Sequence, residues 1–325
     1  MIWHKNICPH KINRHPDVRH RSAAVLATFL HRKSTSQQVM KKILVPTDFS
    51  RNSKNALFIA AKIAAKSGVE IELLHANVST IYSTPLSEYT PATDYMEDQE
   101  YDESAARTLE KMKLELYENP AFAKVKVSVR VEEGFLHSCV RQVAEQDGAD
   151  LVVMGTKGAS GVQEFLVGSN TEKVIRTAPC PVLAIPEGVE DFELKTVLLP
   201  STLKDDQKNI FRYLAEWQKV FGFNVKVLYL NNPAGFPTDG SAEARKNRLS
   251  EAAGLSKPEV IMVMESVFKD STILSVADQY DADMIAMATH QRHGLSHVFF
   301  GSITEDTVNH SNIPVLAVPV AWMEN

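Results

Sequence analysis

Ala149-Asp150-Leu151-Val152-Val153-Met154-Gly155-Thr156 and Ala282-Asp283-Met284-Ile285-Ala286-Met287-Ala288-Thr289 are one stretch written twice, 133 residues apart. The offset holds without a gap through Pro181-Val-Leu-Ala-Ile-Pro186 and Pro314-Val-Leu-Ala-Val-Pro319, and 14 of the 38 positions from Ala149 to Pro186 are identical to their partners. Upstream, Lys42-Ile-Leu-Val-Pro-Thr-Asp48 is echoed by Thr196-Val-Leu-Leu-Pro-Ser-Thr202 at an offset of 154. The chain is therefore a tandem duplication, its first copy longer in the middle. A period of this size sets the architecture before any single element is assigned.

Each copy alternates strand and helix. In the first, Ile43–Pro46 reads as a β-run and Asn52–Ser67 as an Ala/Ile-rich helix stopped by Gly68. Val69–Val78 is the next strand, Ser79–Glu97 a long polar loop, and Asp98–Glu118 a charged amphipathic helix ended by Asn119-Pro120. Lys124–Val131 alternates with period two, Phe135–Gln146 is helical, and Leu151–Met154 and Val182–Ile185 are apolar strands. The second copy repeats the order through Val197–Leu199, Lys204–Phe221, Asn224–Leu230, Ala242–Ala253, Glu259–Glu265, Ser271–Tyr280, Met284–Met287 and Val315–Val318. Strands separated by helices mean an α/β fold, a doubly wound parallel sheet with helices on both faces. The expected organisation is a basic extension over 1–40, domains over 41–187 and 195–320, and an acidic linker over 188–194.

The formal charge of −5 hides two opposite parts. Residues 1–40 hold seven Lys and Arg against the lone acid Asp17, and five of the eleven histidines. The other 285 residues hold 28 Lys and Arg against 39 acids, a net of −11, which speaks against a nucleic-acid binder. The apolar stretch Ala23–Leu30 is short and interrupted for a secretory signal; the Arg-rich, acid-poor composition leaves an organellar transit peptide as an alternative, although Pro9, Pro16 and the histidines spoil a clean amphipathic helix. Met40, directly before the first strand, reads as the natural start, with 1–39 an upstream extension or tail. No apolar run approaches the ~18–20 residues that span a bilayer. Cys8, Cys139 and Cys180 are too few and too scattered for a disulfide framework or Cys-x-x-Cys chemistry, so a reducing, cytoplasmic setting is expected.

In open α/β sheets, ligands bind beyond the carboxyl ends of the strands. In copy one these ends are Pro46-Thr47-Asp48 and Met154-Gly155-Thr156-Lys157-Gly158, followed by Gly168-Ser169-Asn170 at a helix start. Gly155 and Gly158 let backbone approach an anion closely. Gly168, Ser169 and Asn170 offer free N–H groups where the helix dipole favours negative charge, and the Ser169 hydroxyl can donate to phosphate. Asp48 suits ribose hydroxyls or a cation better than phosphate. Each piece has a plainer explanation: Ser169-x-x-Glu172 is a capping box, Gly155 a strand-end turn, Asp48 an N-cap. Their combination favours a nucleotide.

Gly155-x2-Gly158-x9-Gly168-Ser169, with Pro46-Thr47-Asp48-Phe49-Ser50 on the first strand and Pro181–Pro186 on the last, resembles the universal stress protein family. The resemblance covers residues 41–319 as a tandem pair. It implies a Rossmann-like, adenine-nucleotide α-hydrolase-like fold with five parallel strands per copy, paired through the last strands. It also implies ATP, with or without Mg, as ligand. By that resemblance Asp48 and the Ala76 backbone would hold ribose and adenine, Met154, Gly155 and Gly158 would line the nucleotide, Gly168, Ser169 and Asn170 would meet the phosphates, and Pro46 and Thr47 belong to the same nucleotide-binding set. Copy two departs at the decisive positions: Ala288 stands for Gly155, Gln291 for Gly158 and Thr202 for Asp48. It is expected to be a partner domain without ligand, joined to copy one as an intramolecular pseudo-dimer, with a homodimer a further expectation.

His290, His293 and His297 lack a completing carboxylate or cysteine and read as loop histidines, so no metal site is expected. Cys180 reads as a buried structural thiol, and Lys157 as either a phosphate contact or a solvated side chain. No Ser-His-Asp order, catalytic carboxylate pair or Gly-Lys-Ser/Thr P-loop is present, and no catalytic residue is assigned. A nucleotide-dependent stress or signalling protein is the favoured class. A slow ATP hydrolase and a ligand-free scaffold are the alternatives.

Overall fold

The first candidate site residues stand at the end of the first strand, and the caps of the helix that follows can be traced to the sequence. Strand β1 (Lys42–Pro46) runs into helix α1 (Arg51–Ser67), whose N-cap Ser50 accepts from the Ser53 N–H and whose end is closed by the left-handed Gly68. One face of α1, Ala56, Leu57, Ile59, Ala60, Ile63 and Ala64, is buried against the sheet. Copy one continues with β2 (Glu70–Asn77), α2 (Thr93–Tyr117), β3 (Val127–Glu133), α3 (Leu136–Asp147), β4 (Leu151–Gly155), α4 (Ser169–Thr177) and β5 (Val182–Ile185). Copy two comprises β6 (Thr196–Ser201), α5 (Lys208–Phe221), β7 (Asn224–Leu230), α6 (Asp239–Ala253), β8 (Glu259–Val263), α7 (Asp270–Gln279), β9 (Met284–Thr289), α8 (Phe300–His310) and β10 (Val315–Pro319).

This computed structural model describes residues 40–78, 93–156, 169–230, 239–263, 269–289 and 300–321. They belong to one unit, Gln38–Asn325. The basic extension and most of the expected loop 79–97 lie outside them. Where that loop is described it is corrected: α2 already begins at Thr93. The helix expected from Lys204 opens instead with a separate 3-10 turn, Asp205–Gln207, before α5.

All ten strands form a single sheet in the order β3-β2-β1-β4-β5-β10-β9-β6-β7-β8. Within each copy neighbours are parallel; the junction of β5 and β10 is antiparallel, with Leu316 opposite Leu183 and Val315 opposite Ala184. Each copy therefore has the order 3-2-1-4-5, and its winding reverses between β1 and β4 or between β6 and β9. The central strands are apolar throughout because helices cover both faces. The aromatic residues of α5 thicken the junction, with Tyr213 wholly buried and its hydroxyl pushed well above its ordinary pKa by that burial. Lys66 of α1 lies over the Phe221 ring at 5.1 Å, a contact between the copies.

The acid of each Ala-Asp pair that marks the repeat has a structural duty. Asp150 is 3% exposed, and its Oδ2 accepts from the backbone N–H of Lys41 at 2.6 Å and of Lys42 at 3.1 Å. Asp283 does the same for Lys195 and Thr196, both at 2.7 Å. These bonds satisfy donors at the amino ends of β1 and β6, opposite the candidate site. Asp150→Ala is expected to cost about 1–3 kcal/mol, because it strands partly buried donors. Urea unfolding measures the loss, and Asp150→Asn, which keeps an acceptor, should recover part of it.

Candidate functional site

The winding reversal between β1 and β4 brings Pro46-Thr47-Asp48 beside Met154-Gly155 at the carboxyl end of copy one. Pro46, Thr47 and Met154 are buried, Gly155 is half-buried and Asp48 is exposed. The Thr47 hydroxyl lies 2.9 Å from that of Ser53 and accepts from the Phe49 N–H at 3.0 Å. The Thr47 carbonyl is 2.9 Å from His75 Nδ1, and the His75 ring stacks on Phe49 with centroids 4.4 Å apart. This clamp holds the β1–α1 turn and carries Phe49 at a positive φ of 64°. Copy two repeats the device. Gln207 replaces Ser53, its Oε1 accepts from Ser201 at 2.5 Å and from the Thr202 N–H at 3.0 Å, and Leu203 has φ 55°. The strained turn thus belongs to the fold and is not peculiar to the copy with the intact motif.

Asp48 is not the N-cap of α1; Ser50 is, and Asp48 Oδ1 accepts from the Ser50 N–H at 3.1 Å. The carboxylate thereby stays at the mouth of the β1 end, exposed. Ala76 is half-buried near the end of β2.

Gly155 is closely packed. A Cβ there would lie 2.7 Å from Asn52 Nδ2 and 3.1 Å from the Asn52 carbonyl, so the Asn52 side chain would have to turn aside and its backbone give by a few tenths of an ångström. In copy two, where Ala288 carries that Cβ, the corresponding chain opens with the 3-10 turn Asp205–Gln207. The glycine and the regular first turn go together. Gly155→Ala is therefore expected to destabilise by about 1–3 kcal/mol as an overpacking change. Ala288→Gly should cost only about 0.5–1 kcal/mol of strand entropy. Paired thermal melts of the two variants test that asymmetry.

Helix α4 begins at Ser169, and Asn170 is exposed in its first turn. Buried Thr171 donates its hydroxyl to the Gly155 carbonyl at 3.1 Å, which ties this helix start to the end of β4. Lys157, Gly158 and Gly168 lie outside the described residues, as do His290, His293 and His297. Of the expected site, the structure thus brings together Pro46, Thr47, Asp48, Met154, Gly155 and the start of α4.

Two residues escaped the sequence reading. The β2–β3 register reaches Asn77 opposite Glu133, and the Gly134 N–H donates to the Asn77 carbonyl at 2.7 Å. Val78, directly after β2, and Phe135, after β3 and Gly134, therefore lie at the same rim, 39% and 44% exposed. Gly134 has φ 139°, and a Cβ on it would press on Cys139 Sγ at 3.2 Å. The only signal in the sequence was an apolar residue after a glycine at a helix start.

The family model described as the universal stress protein family matches residues 40–186 and again residues 193–319. The chain belongs to the universal stress protein family. It is 30% identical over 148 residues to a universal stress protein of Thermus aquaticus, an alignment covering 45% of this chain and 99% of that one. It is 33% identical over 156 residues to one of Methanocaldococcus jannaschii, covering 45% and 94%. These single-length relatives align with about half of a tandem universal stress protein. A solved universal stress protein from Archaeoglobus fulgidus DSM 4304 shares the fold over both copies, with TM-score 0.63, 21% identity and coverage of 87% of this chain and 97% of that chain. Among the described residues, no helix is long and apolar enough to cross a membrane.

Proposed function

We propose that this universal stress protein binds one ATP in copy one and acts in the stress response through the partners that the nucleotide state selects. The observation that supports the reading most is the Thr171–Gly155 bond. It seats a helix N-terminus against the end of β4, next to the end of β1, where a polyphosphate would meet free N–H groups and a favourable dipole. In this reading Gly158, Gly168, Ser169 and Asn170 receive the phosphates. Asp48 faces the ribose hydroxyls or a cation, and Pro46, Thr47, Ala76, Met154 and Gly155 line the sugar and base. The exposed Val78 and Phe135 add an apolar surface for the base. Phe135→Ala should then weaken ATP binding about tenfold, within the range of base–aromatic contacts.

Isothermal titration of the full chain with ATP tests the reading. The comparison ligand is cAMP, with which another universal stress protein has been solved. Tighter binding of ATP supports a phosphate site at α4; equal binding, or none, refutes it.

Copy two serves as the fixed half of an intramolecular pseudo-dimer. Supporting this are the antiparallel β5–β10 junction and the docking of the linker on α1. There, Asn55 Nδ2 donates to the Val189 carbonyl at 2.5 Å, and Lys62 pairs with Asp191. Proteolytic cleavage within 187–194 should leave the halves together on native gel filtration, and their separation would refute it.

A further inference from the structure

Arg176, in the last turn of α4, reaches out of its own copy. Its Nε donates to Glu305 Oε1 at 2.5 Å and its second guanidinium nitrogen to Glu305 Oε2 at 2.6 Å. The same nitrogen lies 2.5 Å from Glu172 Oε1, one turn back on α4. Glu305 belongs to α8 of copy two and is the more enclosed partner, its side chain 15% exposed against 40% for Arg176. The fork is two-pronged and charge-assisted, the strongest common form of side-chain hydrogen bonding. Its acids hold the Arg176 guanidinium above its ordinary pKa, the Glu305 hydrogen bond first among them.

The duplication makes the fork informative. At the 133-residue offset, Glu305 is the counterpart of Glu172, and Asn309 is the counterpart of Arg176. Copy two has kept the acid and carries no cation in that place. A symmetric pair would have two such forks; among the described residues there is one between α4 and α8, running from the copy with the intact glycine motif to the copy without it. Helix α4 has nine residues, too few to be stable alone, and is seated by buried Val174 and Ile175 as well as by polar contacts at its two ends. Thr171 fixes its first turn to Gly155, and Arg176 fixes its last turn to Glu305.

We infer that Glu305 of the degenerate copy is a positioning residue for the nucleotide site of copy one: it anchors the far end of α4, and so sets where the phosphate-facing end of that helix stands. This rests on the ATP reading given above. It assigns copy two a use that needs no ligand of its own, because the carboxylate it supplies completes the neighbouring site from behind.

The test is a double-mutant cycle on the full chain, with ATP binding followed by calorimetry for wild type, Glu305→Gln, Arg176→Gln and the double variant. Each single change should weaken binding about tenfold, and the double should be no weaker than either single, as for two residues acting through one contact. Hydrogen exchange of the peptide spanning 169–177 should quicken in Glu305→Gln without ATP, while the exchange of β1 and β4 stays unchanged. Such local loosening separates positioning from general destabilisation. Wild-type affinity in all variants, additive losses, or unchanged exchange in 169–177 would overturn the inference alone. A wild-type chain that takes up no ATP, with exchange in 169–177 still dependent on Glu305, would overturn the nucleotide reading and leave the anchor.

Discussion

Equilibrium dialysis with labelled ATP should return one bound nucleotide per chain, and none once Gly158 is replaced by glutamine. The substitution copies the change that copy two already carries at Gln291, placing a side chain where, in the ATP reading, backbone would meet phosphate. Gln291→Gly should restore little. Ala288 is buried, and Thr202 stands where the ATP reading calls for the carboxylate of Asp48. Asp48→Ala should cost about 1–3 kcal/mol of ATP affinity if ribose hydroxyls lose their acceptor. Two equivalent sites, or undiminished binding in Gly158→Gln, would mean that the nucleotide sits elsewhere.

Leu183→Asp should be among the most damaging single changes in the molecule. Leu183 and its cross-strand partner Leu316 are both 0% exposed at the antiparallel junction. Leu183→Ala removes volume and should cost about 2–5 kcal/mol. An aspartate there leaves a carboxyl group among apolar neighbours and should cost more than that. Burial would raise its folded-state pKa above the unfolded one, so the neutral acid is favoured in the folded state. The penalty is then greatest above the folded pKa and shrinks as pH falls through it. Urea midpoints at pH 8 and pH 5 measure this. A Leu183→Asp midpoint no lower than that of Leu183→Ala, or one insensitive to pH, would mean that the junction is looser than its burial indicates.

What could be read in the sequence were features that repeat. Val182–Ile185 and Val315–Val318 are near-identical apolar runs, and the structure sets them against each other. Elements without a strong period moved. α2 starts at Thr93 because residues 93–97 carry no breaker after Pro91, although their polar composition resembles a loop. A separate 3-10 turn, Asp205–Gln207, precedes α5, and nothing in the composition marks it. Site residues fared differently by the range of their contacts. The strand-end positions of Thr47, Asp48 and Gly155 follow from the strand pattern alone. The reason for Gly155 does not: it faces Asn52, more than 100 residues away in the chain. Asp150 served only as a repeat marker until its bonds to Lys41 and Lys42 were seen. The fork between Arg176 and Glu305 joins separate copies, and no spacing rule reaches across such a gap.

Copy one and copy two meet head to tail across β5 and β10. All the strands of one copy therefore point away from all those of the other. The carboxyl rims beside Gly155 and beside Ala288 open on opposite edges of the sheet. The departure of copy two from the glycine motif gives the chain a polarity that a dimer of identical subunits lacks. In the ATP reading proposed above, the nucleotide would be read at the copy-one pole alone, so a partner that responds to it is expected at that pole and not at the other.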